Sequence, residues 1–155
     1  MPVWIRRSAR AAILREARRQ PALETGGALF GYLAAEGVVV VRCGVAAGRS
    51  TRRAFRFVPD PYDLQRQIDR VIAESSGENY LVGEWHTHPS GAPHLSGTDT
   101  SSLRDIAHNH AVGIERPAAI VVAPTLVRRS RLGIGAFVWD PGVNKPKAQR
   151  VIVVD

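Results

Sequence analysis

Apolar side chains recur at helical spacing in three segments of the chain, and strand patterns fill most of the remainder. The predicted helices run from Ser8 to Gln20, from Asp60 to the Ser75-Ser76-Gly77 turn, and from Thr98 to about His110. Ser8 and Asp60 are residue types that cap helix N-termini, and Pro21 cannot continue a helix. For the second helix the spacing predicts a buried stripe of Leu64, Ile68, Val71 and Ile72.

Runs rich in β-branched and aromatic residues predict the strands. They cover residues 28–33, 38–41, 55–58, 80–85, 118–123, 131–139 and 151–154. The turn at 35–37 makes the first two a hairpin, whereas 46–53 and 140–146 are predicted to be connections. Helices interspersed with hairpins and apolar strands favour an α/β fold with a mixed sheet, and 155 residues suit one domain.

The formal net charge is +7, and arginine supplies nearly all of the positive charge. The arginines cluster at Arg49, Arg52, Arg53 and Arg56, and again at Arg128, Arg129 and Arg131. A basic surface can bind nucleic acid or an acidic protein. Because no nucleic-acid motif accompanies either cluster, we interpret both as solvated faces and do not expect a nucleic-acid partner.

Cysteine content and hydropathy exclude several further classes of protein. Cys43 is the only cysteine, so neither an internal disulfide nor a thiolate-rich zinc site can form, and no adjacent histidine makes it a nucleophile. No apolar stretch approaches the roughly 20 residues of a membrane span, so no membrane partner is expected. The N-terminal residues lack the order of a secretion signal, and we therefore expect a cytoplasmic protein.

The chemistry-bearing stretch is Trp85-His86-Thr87-His88-Pro89, at the end of a predicted buried strand. Alternate side chains of a strand share a face, so His86 and His88 point the same way. Asp99 follows eleven residues after His88, and Ser96-x-x-Asp99 has the spacing of a helix capping box that would hold the carboxylate rigidly. Two imidazoles and one carboxylate are a known ligand set for catalytic zinc with an open position.

A metal-bound water also requires a base, and two glutamates are candidates. Glu24 precedes a Gly-Gly strand entry, and Glu84 shares the predicted face of His86. The residues alone leave this choice open. His94 is interpreted as an exposed loop residue and Trp85 as core. His108 and His110 close the third helix without the context of a nuclease motif.

Together these segments resemble the JAMM/MPN+ metalloprotease family, in its compact prokaryotic JAB-like branch. The resemblance is carried by Glu24-Thr25-Gly26-Gly27-x-Leu29-x-Gly31, His86-x-His88-Pro89 and Ser96-x-x-Asp99. It implies one MPN (JAMM) domain over residues 1–155. In that fold a mixed sheet is sandwiched by helices in a cytidine-deaminase-like architecture.

The resemblance also implies roles for individual residues. His86, His88 and Asp99 would bind one zinc ion, Glu24 would transfer protons, and Ser96 would donate a hydrogen bond to the oxyanion. Glu84 lies outside the family pattern, which favours a supporting or ion-pair role for it.

By the same resemblance, the expected activity is cleavage after the C-terminal glycine of a ubiquitin-like modifier. Such an enzyme would remove or mature the modifier in a bacterial pathway, such as phage defence or sulfur-carrier processing. An activating or conjugating enzyme of the same operon would be a partner. A non-catalytic MPN scaffold and a nucleic-acid binder are the alternatives.

Overall fold

A computed structural model describes residues 1–125, 128 and 130–155. In chain order the elements are β1 (Val3–Arg6), α1 (Arg7–Arg19), β2 (Gly26–Ala34), β3 (Gly37–Cys43), β4 (Thr51–Arg53), β5 (Arg56–Val58), α2 (Pro61–Glu74), β6 (Tyr80–Thr87), α3 (Gly97–His108), β7 (Ala118–Pro124), β8 (Leu132–Asp140), β9 (Lys145–Gln149) and β10 (Val151–Val154).

Eight of these strands form one mixed sheet in the order β10-β1-β3-β2-β6-β7-β8-β9. The β1–β10, β1–β3 and β6–β7 pairs are parallel, and the other pairs are antiparallel. Only Arg150 separates β9 from β10 along the chain, although these strands form opposite edges of the sheet. The sheet must therefore curl until its two edges approach each other.

Helices cover both faces of the sheet, because alternate side chains of each strand are apolar in opposite directions. α1 buries Ile13 and Leu14 in the main core, together with Trp85 and Ile120 of the sheet. On the other face, α2 packs on Ala28 and Phe30. α3 inserts Leu103 beside Ala119 and Trp139. This arrangement confirms the expected α/β fold with a mixed sheet between helices.

Several predicted elements are confirmed within a few residues. β2 and β3 form the expected antiparallel hairpin. Asp60 caps α2, where its side chain accepts a hydrogen bond from the backbone N–H of Tyr62. α3 ends at His108, two residues before the predicted end.

Other expectations were wrong, and the reasons lie in tertiary pairing. Ser8 does not cap α1, because the helix begins at Arg7 directly after β1 and the N-cap residue Arg6 makes no side-chain bond. β1, β4 and β9 were not predicted as strands. β1 is short and pairs with the distant strands β3 and β10, whereas β4 and β9 form hairpins with their chain neighbours β5 and β8. Ile72 is not part of the buried stripe, since 41% of its surface is exposed.

A search of the described helices found none with the length and apolar character needed to cross a membrane.

The packing of α3 can be tested by truncating its buried anchor. Leu103 is fully buried, and Leu103→Ala should lower the free energy of unfolding by about 2–5 kcal/mol because it leaves a cavity between helix and sheet. Ile72→Ala is the matched control in α2 and should cost less than about 1 kcal/mol. Chemical denaturation measures both values. Equal losses would contradict the assignment of Leu103 as the anchor.

Candidate active site

The candidate site lies where the entry to β2, the end of β6 and the start of α3 meet. Gly26 pairs with His86 across the β2–β6 ladder. A Cβ atom on Gly26 would lie 2.3 Å from the carbonyl oxygen of Trp85, so the close approach of the two strands requires glycine here. The Gly-Gly entry predicted from the sequence therefore brings the segment that carries Glu24 against the histidine-bearing strand.

His86, His88 and Asp99 form one compact cluster, as the strand spacing and the capping box predicted. The Nε2 atoms of the two histidines are 3.1 Å apart, and each lies 3.2 Å from a different carboxylate oxygen of Asp99. Neighbouring ligands of a tetrahedral ion with bonds of about 2.0 Å are about 3.3 Å apart. The three side chains therefore fit a single bound metal ion.

Hydrogen bonds fix the orientation of Asp99. The backbone N–H of Ser96 donates to Asp99 Oδ2 (2.7 Å), and the backbone N–H of Asp99 donates to Ser96 Oγ (3.1 Å), which completes the predicted capping box. Burial opposes ionisation, but hydrogen bonds from His86, His88 and Ser96 outweigh it and hold the pKa of Asp99 well below its usual range. The hydrogen bond to Asp99 raises the pKa of His88, so this carboxylate favours positive charge beside it.

Glu24 lies in the same cleft as these three side chains. Its backbone N–H donates to the carbonyl oxygen of Arg53 (2.8 Å), which ties it to the β4–β5 hairpin. Burial raises the pKa of Glu24, while His88 and His86 oppose that rise. A carboxylate with a raised pKa beside potential metal ligands is suited to accepting a proton.

The cleft has a volume of about 990 Å³ and lies between α2, α3 and the β4–β5 hairpin. The metal-ligand cluster, Glu24 and Ser96 line it, together with apolar side chains such as Phe57, Leu64 and Ile106. Its volume would accommodate an extended peptide segment.

Comparison with known proteins identifies the family of this chain. The family model described as prokaryotic homologs of the JAB domain matches residues 6–132. The chain belongs to this family. The match confirms the resemblance seen in the sequence and the expectation of an enzyme of the JAMM metallopeptidase class.

Individual relatives agree with this assignment. "Probable metalloprotease y4qB" of Sinorhizobium fredii is 36% identical over 77% of this chain and 74% of its own length. A CD-NTase/cGAS isopeptidase of Vibrio cholerae is 30% identical over 52% of each chain, so the match spans about half of that protein. The solution structure of a Desulfitobacterium hafniense protein covers 99% of this chain and 93% of its own, with a TM-score of 0.67 and 15% identity, and supports the fold alone.

A buried hydrogen-bond network below the site of this JAB-domain protein was not anticipated from the sequence. The Thr25 hydroxyl donates to Glu16 Oε1 (3.2 Å) and accepts from Arg52 Nε (3.0 Å). The Thr25 backbone N–H donates to Thr87 Oγ1 (3.0 Å), and the Thr87 N–H donates to the Thr25 carbonyl (2.9 Å). From the sequence, Glu16 could have been placed on the same helix face as Ile13, three residues earlier. No local pattern distinguished Arg52 from the other arginines.

The remaining candidate residues lie outside the cluster of His86, His88 and Asp99. Glu84 shares the face of His86, as predicted, and lines the cleft, and burial raises its pKa. Trp85 is core, and His94 is exposed. Burial raises the pKa of the Cys43 thiol to about 11, which suits its predicted inertness. His108 stands edge-on to Trp139, and His110 is exposed.

The arginine clusters do not behave uniformly. Arg49, Arg53 and Arg56 are exposed, as expected for a solvated face. Arg52 differs because its guanidinium also donates to the carbonyl oxygen of Ala46 and is partly buried. In the second cluster Arg129 lies outside the described residues.

The Thr25 network makes a testable contribution to stability. Thr25→Val keeps the shape but removes the hydroxyl, leaving the buried Glu16 carboxylate without its donor, and should cost about 1–3 kcal/mol of unfolding free energy. Thr25→Ser should recover most of this loss. Thr51→Val on β4 is the matched control, because the Thr51 hydroxyl makes no hydrogen bond among the described residues. Denaturant unfolding measures all three, and a neutral Thr25→Val would contradict the network.

Proposed function

We propose that this JAB-domain protein is a zinc-dependent isopeptidase or peptidase that cleaves after the C-terminal glycine of a ubiquitin-like modifier. The observation that carries the proposal is the cluster of His86, His88 and Asp99, with donor atoms 3.1–3.2 Å apart and Glu24 in the same cleft. The printed names of the relatives, a metalloprotease and CD-NTase/cGAS isopeptidases, support the same class of reaction.

Zinc is the proposed ion because the donor set combines two imidazoles with one carboxylate. His88 Nδ1 lies 3.2 Å from the carbonyl oxygen of Ala92, so an Nδ1–H donor there would leave Nε2 free as the ligand atom. The capping box holds Asp99 in a comparable way from the other side of the cluster. Each of these two ligands thus has a partner that fixes its direction.

The proposed mechanism divides the chemistry among residues of the cleft. When bound, zinc would lower the pKa of a coordinated water to about 7 and polarise the scissile carbonyl. Glu24 would take the proton of the attacking water and deliver it to the leaving amine. Ser96 Oγ accepts from the Asp99 backbone, so its own hydroxyl hydrogen is available for the oxyanion of the tetrahedral intermediate.

The glycine tail is proposed to lie along the β4–β5 hairpin. Three residues of β5, Arg56, Phe57 and Val58, line the cleft, and the outer edge of β5 pairs with no other strand among the described residues. An extended peptide could add to this edge through backbone hydrogen bonds, which would present the bond beside Glu24 in a fixed register. A narrow groove would select glycine next to the scissile bond.

The pathway is proposed only as a general class. Deconjugation or precursor maturation in a bacterial ubiquitin-like system, such as phage defence or sulfur-carrier processing, suits the reaction. Action in the cytoplasm with an activating or conjugating enzyme of the same operon stays a prediction. A non-catalytic MPN scaffold would not require Glu24, Ser96 and the three ligands together.

Replacing the proposed base tests the mechanism. Glu24→Gln keeps the size of the side chain but removes its basicity, so cleavage of a modifier fusion should fall by about 10²–10⁴-fold while zinc content stays the same. Glu78→Gln, at an exposed carboxylate before β6, is the matched control and should keep full activity. Cleavage assays with metal analysis measure both effects. Unchanged cleavage by Glu24→Gln would remove Glu24 from the mechanism.

The metal assignment has its own test. The purified protein should contain close to one zinc per chain, and His88→Ala should lose most of it because one of three ligands is missing. His94→Ala, in the same loop but exposed, should retain zinc. Elemental analysis after dialysis gives the stoichiometry. Zinc-free wild-type protein that still cleaves would refute the zinc proposal.

A further inference from the structure

Glu84 occupies an unusual position on the floor of the cleft. In the sheet it stands opposite Ala28 of β2 and Ala119 of β7, so the three side chains form one row on the face covered by α2 and α3. Ala28 also lines the cleft and leaves space on its side of the carboxylate, whereas Ala119 is fully buried beside Leu103 of α3. Leu64 and Ile106 line the same cleft from the two helices. Glu84 is thus an acidic group in largely apolar surroundings.

No lysine or arginine in the part of the chain that the structure describes pairs with this carboxylate. Glu84 makes no hydrogen bond or ion pair there. A half-buried carboxylate without a partner is costly. The chain has 21 lysine and arginine residues, so the lack of a partner does not reflect a shortage of cations. A positive group that enters the cleft from outside the protein would supply the missing partner.

We infer that Glu84 is a specificity site that binds a lysine or arginine side chain of the substrate. This inference rests on the proposed peptidase function. The aliphatic stem of such a side chain would pass the apolar walls near Leu64 and Ile106, and its charged end would pair with the carboxylate. Two residues of strand separate Glu84 from His86, or about 7 Å. The recognised side chain lies within a few residues of the scissile bond.

A different role for Glu84 would be to orient His86. The Nδ1 atom of His86 makes no hydrogen bond among the described residues, and a carboxylate on the same strand face could accept one through a water. In that case Glu84 would act on the metal ligand and would not discriminate between substrates. The two roles can be separated by comparing how a substitution of Glu84 affects the cleavage of charged and of neutral substrates.

The experiment uses fluorogenic peptides with a central Gly-Gly. Lysine, arginine or methionine is placed in turn at each of three positions on either side. For wild type, kcat/KM should be about 10–100-fold higher with a cation at one of these positions, as expected for a charged hydrogen bond. Glu84→Gln should abolish the preference and leave the methionine peptide within about twofold. Glu78→Gln should keep the preference.

Two results would overturn the inference. One is a wild-type enzyme that cleaves lysine and methionine peptides equally well at every position. The other is a Glu84→Gln variant that keeps the preference, or that loses zinc and kcat equally for all peptides, as a residue that orients His86 would. Should Glu84→Gln fail to fold, the wild-type preference and the partial rescue expected of Glu84→Asp decide the matter.

A binding measurement separates this inference from the proposed function. Fluorescence anisotropy with the Glu24→Gln variant gives the Kd of each peptide without cleavage. Cationic peptides should bind more tightly than methionine peptides, and Glu24→Gln/Glu84→Gln should lose this difference. That result supports the specificity site even if wild type cleaves none of the peptides. A lack of cleavage would count against the peptidase proposal alone. Cleavage without any such difference in Kd or kcat/KM would overturn the site and leave the peptidase proposal standing.

Discussion

The pairing of Thr25 with Thr87 is the interaction on which the geometry of the site depends. Their backbones and the Thr87 hydroxyl exchange hydrogen bonds of 2.9 and 3.0 Å in a fully buried environment. Thr25 follows Glu24, and Thr87 lies between the two histidines. A shift of one residue in this register would turn the histidines to the other face of the sheet. The same two hydrogen bonds therefore set the distance from Glu24 to the metal-ligand cluster and the direction in which the side chains of His86 and His88 point.

Electrostatic interactions explain how the cluster of His86, His88 and Asp99 stays ordered although it is not part of the hydrophobic core. Asp99 is partly buried, and its ionised form survives because three hydrogen-bond donors outweigh the cost of burial. The helix N-terminus that presents Asp99 adds a favourable dipole for a negative charge. An anionic carboxylate held against two imidazoles is a preformed site for a cation, so ordering the ligands costs little when a metal binds.

The parts of the site that follow local rules could be predicted from the sequence, and the parts that depend on distant contacts could not. Strand alternation was enough to place His86 and His88 on one face, and the Ser96-x-x-Asp99 spacing identified the capping box. Arg52 was interpreted as one of several solvated arginines, because nothing in its neighbourhood encodes a contact with Thr25, 27 residues away.

The errors in the fold have the same origin. Ser8 had the right chemistry for an N-cap, but the pairing of β1 with β3 and β10 carries the chain straight into the helix at Arg7. Ile72 had the right spacing for burial, yet the elements packed against α2 leave 41% of its surface exposed. A periodic pattern predicts which face is apolar without saying how much of that face the neighbouring elements cover.

One strand serves stability and chemistry at once, and its alternation keeps the two functions apart. Trp85 points into the main core and donates its indole N–H to the carbonyl oxygen of Gly44 (2.8 Å). Its neighbours Glu84 and His86 point to the opposite face, into the cleft. Substitutions at the cleft positions can therefore change chemistry without opening a cavity in the core. The small Ala28 extends this separation sideways, because a larger side chain there would fill space in the cleft that a substrate must enter.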